Sequence, residues 1–379
     1  MMRSSRATEM LRLLPGIGLA VAVMLGALPL AERLGRAVLA WQGIAPEGKS
    51  SPVSGVSLAI LLGFLLRNAC SLPAWLQPGV QFSVAKLLRL GIILVGIKLT
   101  FLDVLKLGAW GVPIVATTIA LGLLIIHALS RQLGLPTRLG TLLAAGTSIC
   151  GVTAVVSTAP AIKADEREVA YAVATITLFG LLGMLIYPNV APLLLTTPEQ
   201  VGVFLGTAVH DTSQVVGAAL MYKELHHEDA AFKTATVIKL TRNLFLVVVV
   251  PLVALWHARG RGGEAPASRL PVTRLLPAFV LGFVALAIVR SVGDATAQHG
   301  SAFGMCPPAL WQRLTTEVGE IWGARYLLGT AMAAVGLSTS VAVFRRTGLR
   351  PLIAGFTGAL LVGAAGLAMA RWLGPHVRL

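Results

Sequence analysis

His210, Asp211, Thr212, Ser213 and Gln214 stand consecutively inside GTAVHDTSQVVG (206–217), in a chain that is mostly apolar around them. Together they offer an imidazole that titrates near neutral pH, a carboxylate, two hydroxyls and a carboxamide. A plainer stretch in the same frame lies upstream. GTSICGVTAVV (146–156) supplies Gly146, Thr147, Ser148, Cys150 and Gly151, and the second copy adds Gly206 and Thr207. In apolar surroundings such runs need partners or a task, and the chemistry they suggest is binding of a small polar ligand. A third set follows in ATVIKLTRNLFLVVVVP, where Lys239, Arg242 and Asn243 recur at i, i+3 and i+4 and share a helical face. Placing a Lys or Arg near the centre of a membrane span costs about 2.5–3.5 kcal/mol. Two on one face call for compensation by an anionic ligand, by Asp211 or by water. Arginine suits bidentate oxyanion binding, and lysine acts as a point charge.

The elements that position these residues are membrane helices. Only 12% of the 379 residues are charged and 56% are hydrophobic, where a soluble domain carries about 25% charged residues. The expected fold is an all-α polytopic membrane protein in a single transmembrane domain, with nine to eleven membrane segments. Apolar runs fall at 13–31, 52–69, 82–101, 109–130, 138–162, 167–194, 202–222, 232–256, 273–293, 312–341 and 351–373. The first is a retained N-terminal span. The net charge of +15 lies in short clusters between the runs, which fits the positive-inside rule and not nucleic-acid binding. Cys70, Cys150 and Cys306 are too far apart for a CxxC metal site or a disulfide framework. No GxxxxGK[ST] occurs, so nothing marks an ATPase. No cofactor and no metal is expected.

The chain also repeats itself. Units 52–130 and 273–373 pair through LLRLGIILVGIKLTFLDVLKLG (87–108) and LLGTAMAAVGLSTSVAVFRRTG (327–348), where Gly96 matches Gly336 and Gly108 matches Gly348. Units 138–194 and 202–256 pair through the two polar stretches. The order A, B, B′, A′ is consistent with inverted repeats if 138–162 and 202–222 are re-entrant hairpins; discontinuous full-length helices are the alternative. Loop 190–202 lacks Lys and Arg and suits the outside, while the loops with Arg131, Arg138, Lys163, Arg167, Arg259 to Arg269 and Arg345 to Arg350 suit the inside. That puts the N-terminus in the cytoplasm and the C-terminus in the periplasm.

Breaks at Gly146 to Gly151 and Gly206 to Gly217 would expose half-helix N-termini, whose free N–H groups attract anions, and hydroxyl donors around a midplane pocket. Each member of the pocket has a plainer role too. Lys239 and Arg242 can snorkel or pair with Asp211. His210 is either a buried hydrogen-bonding residue or a proton carrier. Asp211 is either a helix cap or a proton or cation site. Cys150 reads as a small packing residue. The stretches Lys163 to Glu168 and Lys223 to Asp229 read as solvated loops. Lys98 reads as interfacial, and Glu317 and Glu320 as ordinary residues at a vestibule. Gly96 and Gly336 should face close helix contacts.

With GTSICG, GTAVHDTSQVVGA, the following KLTRN and the late AVGLSTS, nearly the whole chain resembles the YeiH-type family of bacterial inner-membrane proteins, usually named sulfate exporters. At fold level that family is similar to the broad superfamily of cation/proton antiporters and anion transporters. The resemblance implies a secondary transporter with inverted repeats, exporting a sulfate- or sulfite-like oxyanion by alternating access. A proton or Na+ would be the coupling ion, the lipid bilayer its surroundings, and a homo-oligomer a possible assembly. A transporter of another organic anion, a channel, and a membrane-embedded thiol/His enzyme using Cys150, His210 and Asp211 are the rival readings.

Overall fold

A computed structural model describes residues 6–42, 44–45, 51–70, 72–259, 275, 277–342 and 349–377. The basic loop from 260 onward, Arg345, Arg346 and Gly348 lie outside the described residues. The described chain is all-α: α1 (Arg6–Trp41), α2 (Gly55–Ala69), α3 (Ala74–Lys98), α4 (Phe101–Gln132), α5 (Thr137–Ser148), α6 (Val152–Thr158), α7 (Glu166–Leu194), α8 (Pro198–Ala208), α9 (Thr212–His226), α10 (Asp229–Leu244), α11 (Leu246–Arg259), α12 (Ala278–Ala297), α13 (308–338) and α14 (Leu349–Trp372). Six of these, α1, α3, α4, α7, α12 and α14, are long and apolar enough to cross a membrane. A seventh span results if α10 and α11, bent by 44° at their junction, count as one. The chain is therefore a polytopic all-α membrane protein.

Local chemistry sets the helix boundaries. Asp165 and Glu168 form a reciprocal capping box at the start of α7, and Thr197 and Gln200 do the same for α8, with Pro198 at its first position. Two polar stretches interrupt helices beside Gly146, Gly151 and Gly206, whereas Gly217, expected at a break, lies inside α9. Ile149 to Gly151 separate α5 from α6, and Val209 to Asp211 separate α8 from α9. At the first break the chain folds back. A Cβ on Gly146 would lie 2.7 Å from Val155 Cγ2, nine residues on. In a continuous helix those positions stand roughly 13 Å apart.

The helices pack as two compact units. The first contains α1, α2, α3, the C-terminal end of α9, α12 and α13. Small residues let its backbones approach. Ala20, Ala27, Ala59, Ala333 and Ala334 form its centre with Val23, Met24, Val80 and Leu337. A Cβ on Gly336 of α13 would fall 2.2 Å from the Ile60 carbonyl of α2, and one on Gly96 of α3 would fall 2.4 Å from the Phe283 carbonyl of α12. These are main-chain collisions, so neither glycine has a substitute. Gly63 of α2 meets the Ala333 carbonyl in the same way, at 2.5 Å.

Two segments of this unit differ from the sequence expectation. Lys223 and Glu224 are not in a solvated loop, because α9 continues to His226. The Glu320 carboxylate pairs with both Lys98 and Lys223. Glu224 Oε2 accepts hydrogen bonds from Ser54 Oγ at 2.6 Å and Val56 N at 3.1 Å, at the start of α2. A carboxylate is favoured at a helix N-terminus, where N–H groups lack partners. Glu320 itself lies in a π-helical stretch, Glu317–Leu328, which rotates side chains away from α-helical register.

The second unit contains α4 to α8, the N-terminal half of α9, α10, α11 and α14. Ile126, Leu139, Leu142, Leu143, Val155, Ile176 and Val362 form its apolar core. Gly122 of α4 and Gly366 of α14 allow close approach to the broken helices. Their missing Cβ positions lie 2.5 Å from Ser148 Oγ and 2.6 Å from Thr207 Oγ1.

Candidate functional site

All fifteen candidate residues except Thr212, Ser213 and Gln214 lie at helix ends or breaks of the second unit or on α10 beside them; those three open α9 in the same unit. Lys239 and Arg242 are 1% and 0% exposed, so neither snorkels to an interface. Neither forms an ion pair with Asp211 among the described residues. Both turn to backbone carbonyls instead. Arg242 Nε donates to Ser148 O at 2.9 Å and Nη2 to Thr147 O at 2.7 Å. Its Nη1 donates to Thr207 O at 2.8 Å and Val209 O at 3.1 Å. One guanidinium thus closes the C-terminal ends of α5 and α8 together. The last carbonyls of a helix have no intrahelical donor and carry partial negative charge. A planar fork of five N–H groups reaches two such ends at once, which an ammonium cannot do.

Lys239 completes the same task one turn earlier on α10. Its Nζ donates to Ile149 O and Val209 O, each at 3.4 Å, and to His210 O. The i, i+3 spacing read from KLTR is what brings both cations to one face. Asn243, at i+4, exchanges hydrogen bonds with Thr212 Oγ1 at 3.2–3.3 Å and so ties α10 to the start of α9. Gly206 leaves room for this packing, since a Cβ there would meet Ile238 of α10 at 2.8 Å.

On the opposite side of the breaks stand the helix starts. Asp211 Oδ1 accepts from Ser213 N at 2.9 Å and Ser213 Oγ at 2.7 Å, and Asp211 N donates to Gln214 Oε1 at 3.3 Å. This is an N-cap with a reciprocal partner three residues on. Gln214 Nε2 donates to Thr177 O at 3.0 Å, and Gly180 supplies the space, its missing Cβ lying 2.0 Å from Gln214 Oε1. Gly151 begins α6 with φ +70°, in a region that side chains other than glycine avoid. A Cβ there would stand 2.9 Å from Asp211 Oδ2 and 3.0 Å from Asp211 Cα. Gly151 and Asp211 occupy equivalent places in the two sequence copies, and in the structure they touch. The carboxylate therefore lies between the first residues of α6 and α9.

Asp211 is thus a cap, as one of the two sequence alternatives held. The remaining groups are less engaged. Among the described residues, His210 Nδ1 and Ser148 Oγ are buried without a hydrogen-bond partner. Buried polar atoms in this condition are rare and mark either stored cost or a ligand's place. Cys150 is buried. Thr207 Oγ1 returns to its own helix at Val203 O, 2.7 Å away. Sequence reasoning missed Glu320 and Glu224 as structural anchors. It also missed the purpose of the KLTR face, because a helix carbonyl carries no signature in residue type. A signal for it existed: each cation-bearing turn follows two helices that stop without a C-terminal basic residue.

Two interrupted helices joined through a cation-bearing third define a polytopic membrane protein built around paired helix ends in its interior. The chain belongs to the family described as conserved hypothetical protein 698, whose model matches residues 33–355. It is 34% identical to a UPF0324 membrane protein of Agrobacterium fabrum over 355 residues, 93% of this chain and 90% of the relative. A UPF0324 membrane protein of Bacillus cereus is 33% identical over 320 residues, covering 84% of this chain and 86% of its own. One from Fusobacterium nucleatum is 26% identical over 329 residues, covering 85% and 91%. These are the YeiH-type proteins that the motifs indicate.

Proposed function

We propose that the protein is a secondary active transporter of a small oxyanion, sulfate- or sulfite-like, with its site at the paired breaks of the second unit. The observation that supports this most is the charge balance there. Two C-terminal and two N-terminal helix ends meet, each worth roughly half an elementary charge, and cancel to first order. Two basic side chains, Lys239 and Arg242, stand there with one carboxylate, Asp211, and with both bases protonated the positive charge is in excess. An excess of one positive charge in a buried setting favours an anion over a cation. The cations are held by carbonyls, so they act through their field. The direct ligands of the anion are then the atoms without a partner among the described residues, His210 Nδ1 and Ser148 Oγ, with Thr147 and Cys150 beside them. His210 is the group suited to proton coupling, as it adjoins Asp211 in the chain and its Nδ1 has no hydrogen-bond partner among the described residues.

In this reading the chain sits in the inner membrane with its N-terminus in the cytoplasm and its C-terminus in the periplasm, and it works by alternating access. Counterflow of radiolabelled sulfate or sulfite in proteoliposomes of the purified chain tests the transport claim. Accumulation against a gradient with counterflow supports a carrier. Flux that only follows the gradient, without counterflow, makes it a channel instead.

A further inference from the structure

The second unit holds a cavity away from the breaks, lined by both apolar and polar side chains. It has a volume of about 380 Å³ and lies among the end of α4, the start of α5 and the end of α11. We propose that this cavity is a binding site for a small amphiphilic anion: an oxyanion head, such as a phosphate monoester, carried on an apolar or aromatic body.

The head is argued from the donors. Arg131 lines the cavity with Ser130, Thr137 and Thr141, and no Asp or Glu is among the lining residues. Ser130 is 3% exposed, and its Oγ has no hydrogen-bond partner among the described residues. It fits there because Gly140 of α5 has no side chain; a Cβ would stand 2.8 Å from Ser130 Cβ. The first turn of α5 adds N–H groups that no side chain caps, since Pro136 precedes it. A guanidinium, hydroxyls and a helix N-terminus without a carboxylate make an oxyanion site.

The body is argued from the other wall. The His127 and Trp256 rings pack at a centroid distance of 4.4 Å, tilted by 39°, and form an aromatic wall. Leu123 and Val253 extend it. His257 Nδ1 lies 3.3 Å from Thr141 Oγ1 and joins the aromatic wall to the hydroxyls. A volume of this size matches small-molecule pockets, which run from about 300 Å³ upward, and exceeds what a bare inorganic anion fills. The lining residues of α5, Thr137, Gly140, Thr141 and Ala144, form one helical face that ends four residues before Ser148. That is a rise of about 6 Å, so the cavity is separate from the paired breaks and approaches them along α5.

The test compares three ligands that share one head: inorganic phosphate, phenyl phosphate and dihexanoyl phosphatidic acid. Each is titrated calorimetrically into the full-length protein in an uncharged detergent. Phenyl phosphate should bind at least ten-fold more tightly than phosphate. Arg131→Gln should weaken phenyl phosphate at least ten-fold, Trp256→Ala several-fold and Ser130→Ala two- to five-fold. The wild-type difference from Arg131→Gln isolates this cavity from any anion bound at the breaks, so its outcome stands apart from that of the transport proposal. Binding of phosphatidic acid but not phenyl phosphate, lost in Arg131→Gln, upholds the head and makes a lipid the source. Equal binding of phosphate and phenyl phosphate would overturn the proposal. So would wild-type affinity in Arg131→Gln and Ser130→Ala proteins that elute as folded chain, or no binding by either phosphate ester.

Discussion

The two breaks have the same frame and opposite solutions. Both end a helix at a G-T pair, and both hand their last carbonyls to Arg242 and Lys239. Beyond that point they diverge. The first break uses a glycine at φ +70° and folds back into α6, seven residues long, which no side chain caps. The second uses Asp211 to start α9, fifteen residues long, with Ser213 and Gln214 completing the cap. The shared half is structural: it closes helix ends. The divergent half puts a lone carboxylate and a buried imidazole on one side only. What the two breaks share closes helix ends, and what sets them apart is a carboxylate and an imidazole at the second alone.

The largest expected effect falls on the shared half. Arg242→Gln replaces four hydrogen bonds to buried carbonyls with at most two, and breaking a buried charged contact costs about 3–5 kcal/mol. A melting curve in detergent should show a large downward shift or no folded peak, and Arg242→Lys should recover only part of it. Next comes Gly151→Ala, which forces a side chain into a glycine conformation at about 1–3 kcal/mol and against Asp211. Adding Asp211→Gly to that variant should restore some of the loss. If it restores nothing, the contact between the two copies does not carry the cost.

A smaller effect separates cap from charge. Asp211→Ala should cost about 0.5–2 kcal/mol through the lost cap, while Asp211→Asn keeps the cap and most of the stability. The Asn variant removes the lone negative charge, so oxyanion affinity measured by calorimetry should rise several-fold. A smaller structural effect is expected for His210→Gln, whose Nδ1 has no hydrogen-bond partner among the described residues. Its readout is the pH profile of transport, which should flatten. An unchanged profile in both His210→Gln and Asp211→Asn would remove proton coupling from the proposal.

Much of this was legible in the sequence because it rests on periodicity and on glycine. Apolar runs located the spans, Gly146, Gly151 and Gly206 located the breaks, and the KLTRN spacing put two cations and Asn243 on one face. Gly96 and Gly336 marked main-chain contacts that only a missing Cβ allows. Three features were not legible. The partners of Lys239 and Arg242 are carbonyls, which every residue has, so residue type cannot point to them. The pairing of Glu320 with Lys98 and Lys223 spans more than two hundred positions on one side and depends on a π-helical register that no local pattern announces. The cavity at Ser130 and Arg131 joins α4, α5 and α11, whose polar members lie far apart in the chain and meet only through packing.

The decisive experiment is a binding titration of the purified wild-type chain with sulfate, sulfite and phosphate on one side, and Na+ and an organic base on the other. The charge balance at the paired breaks predicts saturable binding of at least one oxyanion, strengthened in Asp211→Asn and absent for the cations. Binding of a cation or organic base with no oxyanion binding would contradict it.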